Sequence, residues 1–299
     1  VRVLHVDLGR ELRGGQHQVL LLLKVLRKDG HMCRLLARGP LLERASALGL
    51  DASPASLMTF RRLSSEYELV HVHDAKSHTW AALASRSPFV VSRRVAFPIA
   101  TSPLAKIKYR RAARFLAVSR FVAMKLREGG VPESKLDIVY DSVEAPESVP
   151  AWSADAPVIA LATVDPLKGR DLIERAAEMA RIPVTFSHDL LKDLSHASAF
   201  IYVSRSEGFG SAALLAMAMG VPLIASPIDG MAEVFEPGIS GLAVENDPAS
   251  IAAALQRLLA NPALAQSLAR QGRARATDLF NTGALLKGTL DSYGRALAV

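Results

Sequence analysis

The stretch Ser204-Arg-Ser-Glu-Gly-Phe-Gly-Ser211 puts a carboxylate, two glycines and a helix start into eight positions. It follows an apolar strand pattern and opens an apolar helix that runs to Gly220 and a further strand. Glu207 therefore falls in a loop at a strand's carboxyl end, where ligands of open α/β sheets bind. Gly208 and Gly210 free the backbone, and Ser211 begins a helix whose first N–H groups can face an anion. A carboxylate beside amide donors suits a sugar hydroxyl next to a phosphate. A purely structural turn is the plainer alternative.

Other sites of the same kind lie elsewhere. In Leu161-Ala-Thr-Val-Asp-Pro-Leu-Lys-Gly169, Lys168 sits where a loop meets a helix and could neutralise a diphosphate, or be a solvated surface lysine. Gly9 to Gln18 follows the first strand and carries Gly14, Gly15 and Gln16 at a helix start, the place for an anion or for a simple tight turn. It lacks the spacing of a dinucleotide fingerprint. In His71-Val-His-Asp-Ala-Lys-Ser-His78, His71 and His73 share a strand face. With Asp74 and His78 they could ligate zinc; ahead of that, His73 or Asp74 could orient an acceptor, and otherwise they are ordinary polar residues at a strand end. Arg93 and Arg94 at a strand end suit a phosphate or carboxylate, or surface salt bridges. Lys106, Lys108, Arg110, Arg111 and Arg114, read on one helix with Leu104, Ile107 and Tyr109, suit an anionic membrane surface or a solvated face.

These residues need elements to position them. Apolar strands alternate with helical stripes from Val1 to Tyr140, then the pattern breaks. Glu144 to Pro157 holds three prolines, two serines and three acidic residues without periodicity, and reads as a linker. The alternation restarts at Val158. The expected organisation is a first α/β domain over 1–147, a second over 148–283, and a terminal helix over 284–299 that could cross back to the first. Parallel sheets with helices on both faces follow from the alternation. No repeat of 20–50 residues is present.

Composition sets the outer limits. The chain has 299 residues, half of them hydrophobic, enough for two cores. A single cysteine, Cys33, excludes a disulfide framework and a cysteine-rich zinc site. No apolar run approaches the roughly 20 residues of a membrane span, and no leader is visible, so a soluble, cytoplasmic protein is expected, with peripheral attachment at the membrane's inner face as a further option. The net charge of +7 favours anionic partners. Nucleic acid is not expected, because the basic patch carries few aromatics and no recognised motif.

The stretch from Glu207 to Ala225 resembles the E-G-F-G-x-x-x-x-E-A-M-A-x-G-x-P-V-I-A signature of retaining GT-B glycosyltransferases of group 1, the glycogen-synthase-like and mannosyltransferase-like superfamily. Further segments are similar to that family: Gly14-Gly15 as a loop before a helix ending at Gly30-His31, Ala117-Val-Ser119 through Gly130-Val-Pro-Glu133 to Val139-Tyr-Asp-Ser-Val143, and Ile228 to Val244. The resemblance spans nearly the whole chain. It implies two doubly wound Rossmann-like domains facing a cleft, and transfer of a sugar from a UDP- or GDP-type donor to a saccharide or glycolipid acceptor, in cell-envelope polysaccharide or glycolipid synthesis. Glu207 would bind the sugar and Lys168 would stabilise the departing phosphate. Gly14, Gly15, Gln16, Thr163, Gly208, Phe209, Gly210 and Ser211 would contact the donor; His73, Asp74, Arg93 and Arg94 would face the acceptor. The resemblance implies neither a metal nor a cofactor. The chain departs from the pattern in four places. Leu215 stands for the second signature glutamate and Thr163 for an arginine. The region between Asp171 and Phe200 is short by a strand-and-helix unit, and Arg93-Arg94 replaces an N-domain histidine. These departures motivate a rival, a non-catalytic sugar-nucleotide-binding module; a nucleotide-sugar epimerase is a lesser one.

Overall fold

A computed structural model describes residues 1–100 and 102–298. The first compact unit comprises Val1–Asp141 and the C-terminal helix, and the second comprises Ser142–Asn281.

In the first unit the order is β1 (Arg2–Val6), α1 (Gly14–Lys28), β2 (Met32–Ala37), α2 (Gly39–Ala47), β3 (Ala52–Pro54), α3 (Leu57–Leu63) and β4 (Leu69–Val72). Then come α4 (Ala75–Ala84), β5 (Phe89–Arg93), α5 (Pro103–Arg111), β6 (Arg114–Ala117), α6 (Arg120–Glu128) and β7 (Leu136–Ile138). The seven strands form one parallel sheet in the order β3-β2-β1-β4-β5-β6-β7. Strands covered on both faces are mostly apolar, as the fully buried β4 is apart from His71. The chain runs outward from β1 in one direction and restarts with β4 on its other side. The carboxyl ends of β1 and β4 therefore flank the crevice where such sheets take ligands.

The second unit holds β8 (Val158–Leu161), α7 (Arg170–Ala180), β9 (Val184–Ser187), α8 (Leu190–Asp193), β10 (Ala199–Tyr202) and α9 (Ser211–Ala218). It continues with β11 (Leu223–Ala225), β12 (Leu242–Ala243), α10 (Pro248–Leu259) and α11 (Pro262–Leu279). Its parallel sheet has the order β12-β11-β10-β8-β9. The switch here lies between β8 and β10. β9 is the sheet edge, so the short stretch between Asp171 and Phe200 supplies one strand on that side. The core beneath is continuous, from Val158, Ala160 and Ile201 to Leu255, Leu258 and Leu268.

α12 (Thr282–Leu297) packs within the first unit. Leu285, Thr289, Ser292, Tyr293 and Ala296 are buried at helical spacing, against Val3, Leu22, Leu69, Val90 and Leu116. Asp137 on β7 fastens the helix: its carboxylate accepts from Ser292 Oγ (2.8 Å) and Arg295 Nη2 (2.6 Å), and from Arg114 Nη2 (2.9 Å).

The boundary between the units falls at 141/142, earlier than the expected 147/148. The proline-rich stretch expected as a linker is held by backbone polar groups of the second unit. Val143 N donates to Phe280 O (3.0 Å), Arg273 donates to Pro146 O, and Trp152 Nε1 donates to Ser198 O (2.8 Å). Three short elements, β3, α3 and β12, lie where the pattern showed none. So does α4, whose capping signal Asp74-x-x-Ser77 was present but unread.

Candidate functional site

At the switch of the second sheet, two loops meet. Lys168 ends a short 3-10 turn after β8, and Glu207 sits in the loop after β10. Their side chains form an ion pair, one-fifth exposed at the lysine and less at the glutamate. Tyr202, the last residue of β10, joins them: its hydroxyl donates to Glu207 Oε2 (2.6 Å) and accepts from Lys168 Nζ (3.0 Å). Burial, and then the Glu207 carboxylate, push the Tyr202 phenol well above its ordinary value, so it stays protonated. Glu207 Oε1 accepts from Gly208 N (3.1 Å).

Local geometry explains why this loop needs its residue types. Gly210 has φ +103°, and an added Cβ would lie 2.5 Å from Met231 Cε. Gly169 has φ +56°, and its Cβ would meet Val203 Cγ2 at 2.9 Å. At both positions the positive φ and the close contact together favour glycine. The loop is also laced to its neighbours. Asp229, itself at φ +49°, accepts from Ser206 Oγ (2.9 Å) and Glu207 N (3.2 Å), and Gly230 N donates to Glu207 O (3.0 Å). Ser204 Oγ and Arg205 N both donate to Leu167 O, which ties the Glu207 loop to the Lys168 loop. Next to them α9 begins, and its first turn directs amide N–H groups outward. A cation, a carboxylate and a helix N-terminus thus converge.

Two expected donor contacts are placed differently. The Phe209 side chain is buried against Phe280 (ring centroids 5.3 Å), because a large apolar ring in a loop over a core gains more by burial than by exposure. Thr163 Oγ1 accepts from Asp165 N (3.1 Å) and shapes the turn leading to Lys168. Leu215 is half-buried on α9.

The switch of the first sheet is built differently from the sequence expectation. Gly14 and Gly15 form the first turn of α1 instead of a loop before it. Gln16 Nε2 donates to Asp7 Oδ2 (3.2 Å), and Gly9 N donates to Asp7 Oδ1 (2.8 Å). Burial, and to a smaller extent the Asp74 carboxylate, push the Asp7 carboxyl up. Asp74 is the N-cap of α4, accepting from Lys76 N (2.7 Å) and Ser77 N (3.1 Å), and its other oxygen accepts from Leu8 N (2.7 Å). Three backbone amides therefore occupy the carboxylate assigned to an acceptor. Arg93 and Arg94 do not form a two-pronged anion clamp. Arg93 Nη2 donates to Phe97 O (2.6 Å), while Arg94 Nε pairs with the buried Asp141 (3.0 Å).

The zinc set His71, His73, Asp74 and His78 is not assembled. His78 lies among Phe89, Tyr109 and Phe115, with its Nε2 against Lys108 O (3.2 Å). The structure instead groups His5, His71 and His73 in the core. His5 Nδ1 and His73 Nε2 share a hydrogen bond (3.0 Å), so His73 is a core residue and not a cleft-facing one. His71 is bonded at both nitrogens, to Tyr293 OH (2.7 Å) and Ser92 Oγ (2.8 Å). Burial holds all three neutral, His5 at about 3 and the other two well below the ordinary value. Burial also pushes the Cys33 thiol up to about 12, which leaves it unreactive.

The basic patch is partly spent on the fold. Lys108 Nζ donates to Ala75 O (2.7 Å), Arg111 donates to Ala82 O, and Arg114 lies on β6, paired with Asp137. α5 buries none of its residues, and Leu104 and Ile107 are exposed beside Lys106 and Arg110. Among the described residues, no helix is long and apolar enough to cross a membrane.

Residues 2–145 match the family described as Glycosyltransferase Family 4, and residues 177–275 match Glycosyl transferases group 1. Two glycosyltransferase family models thus match the two parts of the chain in turn. The group 1 domain contains Glu207, Gly210 and Ser211, whereas Lys168 precedes its matched residues. The D-inositol 3-phosphate glycosyltransferase of Frankia alni is 38% identical over 117 residues, 39% of this chain and 28% of that protein. The glycogen synthase of Mycobacterium tuberculosis is 38% identical over 106 residues, 35% of this chain and 26% of that protein. The matches thus span little more than a quarter of these curated relatives. Among solved structures, Anabaena HepE in complex with UDP and glucose superposes with a TM-score of 0.85 at 16% identity, covering 98% of this chain and 99% of that one. The sucrose-phosphate synthase of Thermosynechococcus elongatus gives 0.78 at 20% identity, with both chains fully covered. Both units therefore have the α/β architecture of the GT-B fold.

Proposed function

We propose that the protein is a glycosyltransferase that moves a sugar from a nucleoside-diphosphate sugar, of the UDP or GDP type, to a saccharide or glycolipid acceptor in cell-envelope synthesis. The observation that carries this reading is the convergence of Lys168, Glu207 and the α9 N-terminus at the switch of the second sheet. Glu207 accepts hydroxyls of the donor sugar. Lys168 and the α9 amides hold the diphosphate and stabilise the charge that grows on it, which is the main electrostatic task of the reaction. The bond from the anomeric carbon to the β-phosphate oxygen breaks, and its electron pair leaves with the diphosphate. The acceptor oxygen bonds to that carbon from the same face, and its proton passes to the leaving phosphate oxygen. Configuration is retained, and no metal takes part. The UDP and glucose bound by the structural neighbour HepE support a UDP-type donor. Exposed Leu104 and Ile107 beside Lys106 and Arg110 support peripheral contact with an anionic membrane on the cytoplasmic side.

The test is a thermal-shift panel of UDP, GDP, ADP and their glucose conjugates on the wild type and on Lys168→Ala. A ligand that binds only the folded chain raises the melting temperature. One nucleoside diphosphate is expected to raise it, and Lys168→Ala to abolish the rise. No rise with any of them would overturn the reading. Leu215, in place of an acidic residue, favours a second reading, a non-catalytic sugar-nucleotide-binding module. Transfer or hydrolysis by the wild type, lost in Glu207→Ala, would exclude it.

A further inference from the structure

Two polar groups meet at one carboxylate oxygen in the second unit. Glu207 Oε2 receives the Lys168 ammonium and the Tyr202 hydroxyl, and these two are also bonded to each other. The proton directions follow from chemistry alone. An ammonium only donates, and an ionised carboxylate only accepts. The Tyr202 hydroxyl must therefore give its proton to Glu207 and its lone pair to Lys168. The phenol holds that place firmly. Its ring is buried, stacked on Phe200 (centroids 5.8 Å, 19° between planes), and lies 5.2 Å beneath the Lys168 ammonium.

This arrangement bears on donor binding. In the structure Lys168 is the counter-ion of Glu207, and a diphosphate that takes the lysine as its own counter-ion competes with the carboxylate for that charge. Glu207 would then lose its cation in a largely buried place, where an uncompensated charge is costly. A glutamate without a fixed partner would also swing after the lysine. Tyr202 offsets part of that cost and opposes the swing, because its bond to Oε2 does not depend on the lysine. On the side of Oε1, Gly208 N completes the hold, so the carboxylate is fixed at both oxygens by groups that stay in place.

We propose that Tyr202 is a positioning residue that keeps Glu207 oriented toward the donor sugar while Lys168 moves to the diphosphate. This inference rests on the donor-site reading above. It assigns separate tasks to one cluster: the lysine serves the phosphate, and the Tyr202–Glu207 pair serves the sugar. Tyr202 touches no reacting atom in this scheme and acts only through Glu207.

The experiment compares the affinity for the free nucleoside diphosphate with that for its glucose conjugate, by calorimetry, in wild type and Tyr202→Phe. UDP and UDP-glucose are the first probes, then GDP and ADP with theirs. Phenylalanine keeps the ring packing, and the melting temperature of the unliganded variant checks that it folds. The expected result is free-diphosphate affinity within about twofold of wild type, with the extra affinity due to the sugar reduced about tenfold, the size of one charge-assisted hydrogen bond. Glu207→Ala should remove the same sugar increment, and Tyr202→Phe in that background should change nothing further. Equal weakening toward both ligands, or no change toward either, would overturn the positioning role. Failure of wild type to bind any of the diphosphates would instead remove the donor-site reading, and this inference with it. A Tyr202→Phe variant that did not fold would mark the hydroxyl as structural and likewise overturn it.

Discussion

Tyr293 and His71, 222 residues apart in sequence, meet at 2.7 Å between the phenol oxygen and Nδ1. The bond joins the C-terminal helix to the centre of the first sheet, and both partners are buried. Tyr293→Phe removes one hydrogen bond and leaves a buried imidazole nitrogen without a partner. A loss of about 1–3 kcal/mol is expected in urea unfolding. A change below a few tenths would show that the helix is held by its apolar stripe alone.

Asp137 is the charged counterpart of that anchor, between Arg114, Ser292 and Arg295. Its partners hold the carboxyl below the usual range against the opposing effect of burial. Asp137→Ala leaves the exposed Arg295 and the partly buried Arg114 without their anion. The expected cost is about 3 kcal/mol. Faster proteolysis within residues 282–297 should accompany it, and a variant as resistant as wild type would contradict the anchoring role.

Four core histidines make stability depend on pH. His5 and His78 are lowered to about 3, and His71 and His73 fall well below the ordinary value, all chiefly by burial. A lowered folded-state value means that between about pH 3 and 6.5 the unfolded chain binds more protons than the folded one. Stability is then complete above about pH 7 and falls as the pH drops, by up to about 1.4 kcal/mol per pH unit for each histidine. Asp7, raised by burial, opposes this weakly near the carboxylate range. Urea midpoints from pH 8 to 4.5 measure the slope. His78→Phe, placed among Phe89, Tyr109 and Phe115, should lower it by one proton. An unchanged slope would mean that His78 is not neutral in the folded chain.

Leu215 lies one helical turn beyond Ser211 on α9 and is half-buried, so a longer polar side chain fits there without entering the core. If the nucleotide's ribose lies over this position, Leu215→Glu adds a carboxylate to its hydroxyls. An increase of about tenfold in nucleoside-diphosphate affinity is expected from one such bond. Calorimetry showing no gain would place the ribose elsewhere.

Gly210→Ala tests the loop itself. At φ +103°, with Met231 Cε 2.5 Å from the new methyl, the residue can relieve the contact by moving the methionine but cannot relieve the backbone. A stability loss of about 1–3 kcal/mol is expected, with ligand binding lost alongside it. Full binding in the variant would show that the loop reshapes freely.

By itself the amino-acid sequence determined the two α/β halves, the strand and helix order apart from β3, α3, α4 and β12, and the positions of Lys168 and Glu207. These are local signals. Apolar periodicity marks strands and helices, and the glycines at 169 and 210 mark the turns that carry the two charged residues. Only the tertiary structure decided the rest, because the deciding bonds join residues far apart in the chain. Tyr202 reads as one more apolar strand residue until folding brings Lys168 and Glu207 to its hydroxyl. Asp229 and Asp7 carry no signal beyond a neighbouring glycine, yet each fixes a loop through backbone amides. Asp74 looked like a free carboxylate and is consumed by three N–H groups, while Phe209 looked like a ligand contact and is packed on Phe280. Residue type limits what a side chain can do; which partners reach it first is settled by burial and by the demand that buried polar groups be paired.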